Sequence, residues 1–154
     1  YNTLHMQDTI KAQLKAAMMA KETTKVMTLR GVTAAFTNDL VARGITPTDP
    51  MTDEDCIRVI KKLIKQRKDS IEQFIAGGRE DLADDEKAEL AVLETLIPAQ
   101  MTREEIVTFV QNKITEMGEI DKTKIGQITG SIIKAIGSNA DGAMVKSVID
   151  EILK

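Results

Sequence analysis

The 154-residue chain predicts an all-α fold, a larger N-terminal helical bundle followed by a small three-helix C-terminal subdomain. Three observations predict it. Apolar residues recur at helical spacing in seven separate stretches, no stretch alternates with a period of two, and Ile97-Pro98-Ala99-Gln100 interrupts the series after the fourth stretch. Few contacts need cross such a break, so a four-helix subdomain is expected over residues 6–98 and a three-helix one over 99–154. Residues 1–5 precede Met6, match no pattern in the remainder and read as an appended or upstream remnant.

Asp8 is expected to cap the first helix, which carries Ile10, Leu14, Ala17 and Met18 and ends near Lys21. The second opens at Thr23 or Thr24 and places Val26, Leu29, Val32, Phe36 and Leu40 on one face. Two prolines and a glycine over residues 42–51 make a surface loop. Thr52, followed by Asp55, caps the long central helix, on which Ile57, Ile60, Leu63, Ile64, Ile71, Phe74 and Ile75 fall on one side. Gly77-Gly78 ends it, since glycine adopts a positive φ at low cost. The fourth helix carries Leu82, Leu90, Leu93 and Ile97 and is closed by Pro98. Beyond it, Thr102-x-x-Glu105 is a capping box ahead of Ile106, Phe109, Val110 and Ile114, stopped by Gly118. Ile125, Ile128, Ile132 and Ile136 mark the sixth helix, whose Gly126 and Gly130 would let a neighbour approach closely. Asp141-Gly142 starts the last, built on Val145, Val148, Ile149 and Ile152.

A chain of this length can bury a sizeable core without disulfide or metal. The lone Cys56 excludes an internal disulfide, and no apolar run approaches membrane-spanning length, which together point to a reducing, cytoplasmic setting without a membrane partner. The net charge of -3 provides no global attraction for polyanions, and the 3% aromatic content without Trp argues against a base-stacking platform. The single histidine, His5, lies in the remnant, which removes His-based acid–base, triad and zinc chemistry. Cys56 sits in the first helical turn, but Asp53, Glu54 and Asp55 oppose a reactive thiolate, so it reads as an ordinary half-buried thiol. The acidic cluster between residues 80 and 94 lacks the converging oxygen ligands of a calcium loop. No catalytic residue, cofactor or metal is expected from this chain alone.

What remains is a basic stripe. Arg58, Lys61, Lys62, Lys65 and Lys68 lie opposite the apolar side of the central helix, and Arg79 follows just beyond its end. Residues 57–79 hold seven basic and two acidic side chains, net +5, whereas residues 80–98 hold seven acidic and one basic, net −6. Three readings compete: a phosphate-contacting face, a solvated face supported by Lys65–Asp69 and Lys68–Glu72 pairs, or a face docked on the acidic helix in an antiparallel hairpin. Arg67 differs from the stripe because it projects from the middle of the apolar side, where a guanidinium needs a carboxylate or backbone carbonyls as partners; a structural ion pair is expected there. The eight methionines read as core filler.

Several separated segments carry a family likeness. They are Leu14-x-x-Ala17-Met18, Thr28-Leu29-Arg30, the run from Lys65 to Phe74, Gly77-Gly78-Arg79-Glu80-Asp81-Leu82-Ala83, Glu94-Thr95-Leu96-Ile97-Pro98-Ala99-Gln100 and Ala140-Asp141-Gly142. In these the chain resembles the YqeY-type family, which is related to the tail domain of the B subunit of the glutamine-dependent Asp/Glu-tRNA amidotransferase. The resemblance implies an all-helical, two-part module associated with tRNA-dependent amidation, a carbon–nitrogen ligation with glutamine as amido donor. It names tRNA and the amidotransferase as partners. A departure accompanies it: Gly137-Ser138-Asn139 stands where the family has a basic residue before Ala-Asp-Gly, and residues 99–154 sum to −1. The alternative reading is a helical protein-interaction module with no RNA role.

Overall fold

The computed structural model describes residues 5–47 and 49–154; residues 1–4 of the expected remnant and Thr48 of the 42–51 loop lie outside the described residues. Seven α-helices are described, α1 (Met6–Met19), α2 (Thr23–Ala42), α3 (Asp53–Ala76), α4 (Glu80–Glu94), α5 (Arg103–Met117), α6 (Ile125–Ile136) and α7 (Gly142–Ile152), with no strand among the described residues. The fold is all-α, as the 3.6-residue periodicity predicts.

The chain divides into two compact units, Tyr1–Ile97 and Pro98–Lys154. In the first, the short connections at residues 20–22 and 77–79 turn α2 back along α1 and α4 back along α3, and α4 also packs on α2. Ile10, Leu29, Val32, Phe36, Leu40, Val59, Ile60, Ile64 and Leu93 fill its core, with Met51 and Cys56 at the α3 entry. Cys56 is fully buried rather than half-buried, because its position on α3 faces this core. Thr52 caps α3 by accepting from the Asp55 N–H at 3.1 Å, and Gly78 takes φ +73° to close the α3–α4 turn. The entry to α1 differs from expectation: His5 occupies the cap position without a side-chain bond, and Asp8 sits in the first turn. The Met6 N–H is instead accepted by Asp53 Oδ1 at 2.8 Å, which ties the start of α1 to the start of α3. Ile75, assigned to the apolar side by its angle, is 48% exposed.

In the second unit, α7 packs on both α5 and α6 around Ile106, Val110, Ile132, Ile136, Val145, Val148 and Ile149. The Thr102–Glu105 capping box forms with both reciprocal bonds. Asp141 caps α7 by accepting from the Ala143 N–H. Gly126 and Gly130 do not serve a close approach: both are exposed, and a Cβ at either would meet no heavy atom within 4 Å. The 98–101 connection is held to this unit. Gln100 Nε2 donates to the carbonyls of Pro98 and Ser138, and the Met101 N–H donates to the Asn139 carbonyl at 2.8 Å.

Candidate functional site

The faces of α3 position the charged residues singled out on it, and Arg79 stands at the start of α4. The core face of α3, through Ile60, Ile64 and Ile71, settles against the bundle, which leaves the lysines on the opposite face in solvent and aims Arg67 toward α4. Arg67 Nη1 donates to Glu86 Oε2 at 2.7 Å and lies 2.8 Å from Glu89 Oε2. The guanidinium keeps 36% of its side chain exposed, whereas Glu86 and Glu89 are 19% and 18% exposed. It therefore sits at the lip of the α3–α4 interface and not deep within it.

The other cations separate into two groups. Arg58 leaves the stripe: its Nη2 donates to Asp39 Oδ2 at 2.8 Å and lies 3.8 Å from Asp55, while Arg43 reaches the same two carboxylates at 3.0 and 3.4 Å. These four residues clamp the end of α2 to the start of α3 across the intervening loop. The hydrogen bond from Arg58, then the nearby positive charges of Arg58 and Arg43, hold the Asp39 carboxyl below its ordinary 3.8 against the opposing effect of burial. Arg79 is likewise taken up, donating through Nε and Nη2 to the two oxygens of Asp81, both at 3.1 Å. By contrast, Lys62, Lys65 and Lys68 are exposed and have no carboxylate within 4 Å among the described residues. Lys61, beside them, is intermediate in exposure and has a partner.

Two sequence expectations are corrected by this arrangement. The acidic helix does not neutralise Lys62, Lys65 and Lys68, which pair with none of its carboxylates among the described residues; Arg67 reaches across to it from α3. The i, i+4 pairs Lys65–Asp69 and Lys68–Glu72 do not form, although Asp69 and Glu72 share the face and lower its potential.

Cys56, the thiol beside the start of the stripe, is buried and has no base among the described residues bonded to it. Burial first, then the carboxylates of Asp53 and Asp55, push the Cys56 thiol up to about 11, which leaves it protonated and unreactive at neutral pH. No group of three or more His, Cys, Asp or Glu side chains among the described residues is arranged to hold a metal ion. No helix of the described residues is long and apolar enough to cross a membrane.

Sequence reasoning missed a groove at the end of the first unit where the α1–α2 and α3–α4 turns lie. It has a volume of about 420 Å³ and is lined by Thr24 and Met27 of α2, Phe74 of α3, and Leu82, Asp85, Glu86, Ala88 and Glu89 of α4. The signal that could have found it is the i, i+3, i+4, i+7 series 82, 85, 86, 89, which starts apolar and continues acidic on a face that must meet the apolar end of α3.

Comparison with known proteins places the chain in a family. A profile described as Yqey-like protein matches residues 7–153. The chain is 36% identical over 128 residues to "Altered inheritance of mitochondria protein 41, mitochondrial" of Kluyveromyces lactis, a match covering 80% of this chain and 66% of that protein. It is 33% identical over 116 residues to the protein of the same name in Vanderwaltozyma polyspora, covering 74% of this chain and 61% of that one. Against the Saccharomyces cerevisiae protein of that name the identity is 29% over 128 residues. The chain thus spans two thirds or less of the length of these relatives. Their names overturn the cytoplasmic expectation, which rested on a lone cysteine and the lack of a membrane-length apolar run. A lone thiol constrains the possible disulfides and says nothing of the compartment. Across nearly its whole length, from the first turn of α1 to the end of α7, the chain belongs to the Yqey-like protein family.

Proposed function

We propose that the chain is a non-catalytic helical accessory module of tRNA-dependent amidation, which contacts the tRNA backbone weakly through Lys62, Lys65 and Lys68. The observation that carries this reading is that these three lysines stand exposed on one face of a rigid helix with no carboxylate within 4 Å among the described residues. Phosphate contacts need cations that are not already paired, and Arg58 and Arg79 are held by Asp39 and Asp81. The family likeness to the amidotransferase tail selects tRNA among polyanions. The net charge of -3, with Asp69 and Glu72 interleaved among the lysines, sets the binding as weak.

A filter-binding titration of bulk tRNA across a salt series tests this. Three phosphate contacts predict that log K falls by about 2 to 3 for each tenfold rise in salt. The triple reversal of Lys62, Lys65 and Lys68 to Glu should abolish retention. Binding that ignores salt, or survives the triple reversal, refutes the site. No binding at low salt refutes the RNA role and leaves a protein-interaction module.

A further inference from the structure

We propose that the groove between α2, α3 and α4 is a docking site for a basic amphipathic helix of a partner protein. The surface carries two features that a solvated bundle end does not need. Its walls are apolar, Met27, Phe74 and Leu82, and Met27 is 60% exposed. Around the same end of the unit, Met18 at 49%, Met19 at 78% and Ile75 at 48% are also exposed, so much of the large apolar surface of this unit collects where its two helical turns lie. Methionine is unbranched and polarizable, and such side chains suit a surface that must mould itself to an incoming apolar face.

The second feature is charge, and it selects the occupant. Asp85, Glu86 and Glu89 line the floor along one face of α4. Arg67 is shared by Glu86 and Glu89, and Asp85 makes no ion pair among the described residues, so three carboxylates meet one guanidinium and the groove is left with a net charge of −2. An acidic ligand or a phosphate backbone would be repelled. A helix with Leu or Met at i, i+3, i+4 and Lys or Arg on its flanks satisfies both walls and floor, the apolar anchors entering beside Met27 and Phe74 while a cation meets Asp85. The groove lies away from the lysine face of α3, so it is independent of the RNA contact and the tRNA titration does not bear on it.

The test uses the full chain and a synthetic Leu/Lys amphipathic helical peptide, with a Leu/Glu peptide of the same pattern as the charge control. The methionine methyl resonances are followed by NMR, and affinity is measured by fluorescence anisotropy of the labelled peptide. The expected result is a shift of the Met27 methyl on adding the Leu/Lys peptide, no shift with the Leu/Glu peptide, and at least a fivefold weaker affinity for Asp85→Lys. Both Asp85 and Met27 are exposed, so neither Asp85→Lys nor Met27→Lys should disturb the fold, and the second variant should weaken binding as well. Absence of binding, equal binding of the two peptides, binding that leaves Met27 unshifted, or an Asp85→Lys variant with unchanged affinity would each overturn the proposal.

Discussion

Replacing Arg67 with Ala removes both ion pairs that this residue makes from α3 to α4. The magnitude follows from its degree of burial. Breaking a fully buried pair costs about 3–5 kcal/mol, and an exposed pair is worth about 0–1 kcal/mol. Here the acceptors are 19% and 18% exposed, while the guanidinium is 36% exposed and keeps part of its hydration. The contacts are short, 2.7 and 2.8 Å, and their loss leaves Glu86 and Glu89 adjacent on α4 with no counter-charge from Arg67. An intermediate cost of about 2 kcal/mol is expected. Lys62→Ala, which removes no ion pair among the described residues, should cost less than about 0.5 kcal/mol. Urea unfolding of the full chain followed by far-ultraviolet circular dichroism separates them. With a slope of about 1.5 kcal/mol/M, Arg67→Ala should lower the midpoint of the first unit by roughly 1.3 M with unchanged slope. Glu86→Gln alone should cost less, and the double variant should fall short of the sum by about 1 kcal/mol. Equal midpoints for Arg67→Ala and Lys62→Ala, or strict additivity with Glu86→Gln, would refute a structural role for this pair.

Two further outcomes are expected. The folded-state pKa of Asp39 lies below its ordinary 3.8, so its contribution to stability is complete above about pH 4 and is lost as pH falls through the folded value. Asp39→Asn should cost about 1 kcal/mol near neutral pH and flatten the acid limb of thermal stability below about pH 4; an unchanged limb would show that the Arg43–Arg58 clamp contributes nothing. Limited proteolysis of the native chain should cut first in the 43–50 connection or between Ile97 and Gln100, N-terminal to the bonds that hold Gln100 and Met101 to the second unit, whereas a first cut within residues 57–76 would contradict the assignment of α3 as a stable helix.

The groove and the ion pairs show why the site was less legible than the helices. Helical angle alone separates Arg67 from the lysines of α3, since both faces belong to one element and the period of 3.6 is a local property. The same angle could not announce that Arg58 would be taken by Asp39, 19 residues earlier on another helix. Net segment charges misled for a related reason. Residues 57–79 and 80–98 carry opposite totals, yet the helices meet along their apolar faces, which turns most of the opposing charges away from one another.

By itself the sequence determined the seven helices and the Thr52, Thr102 and Asp141 caps, because hydrophobic period and capping chemistry act over a few residues. It also carried the family likeness. Only the tertiary structure decided which charges are spent inside the protein and which stay in solvent, how completely Cys56 is buried, that nothing packs on Gly126 and Gly130, and that Met27, Phe74 and the α4 carboxylates share a groove. Each of these depends on the rotation and axial offset of one helix against another. That relation is set by how side chains from distant positions interdigitate, and no window along the chain contains it.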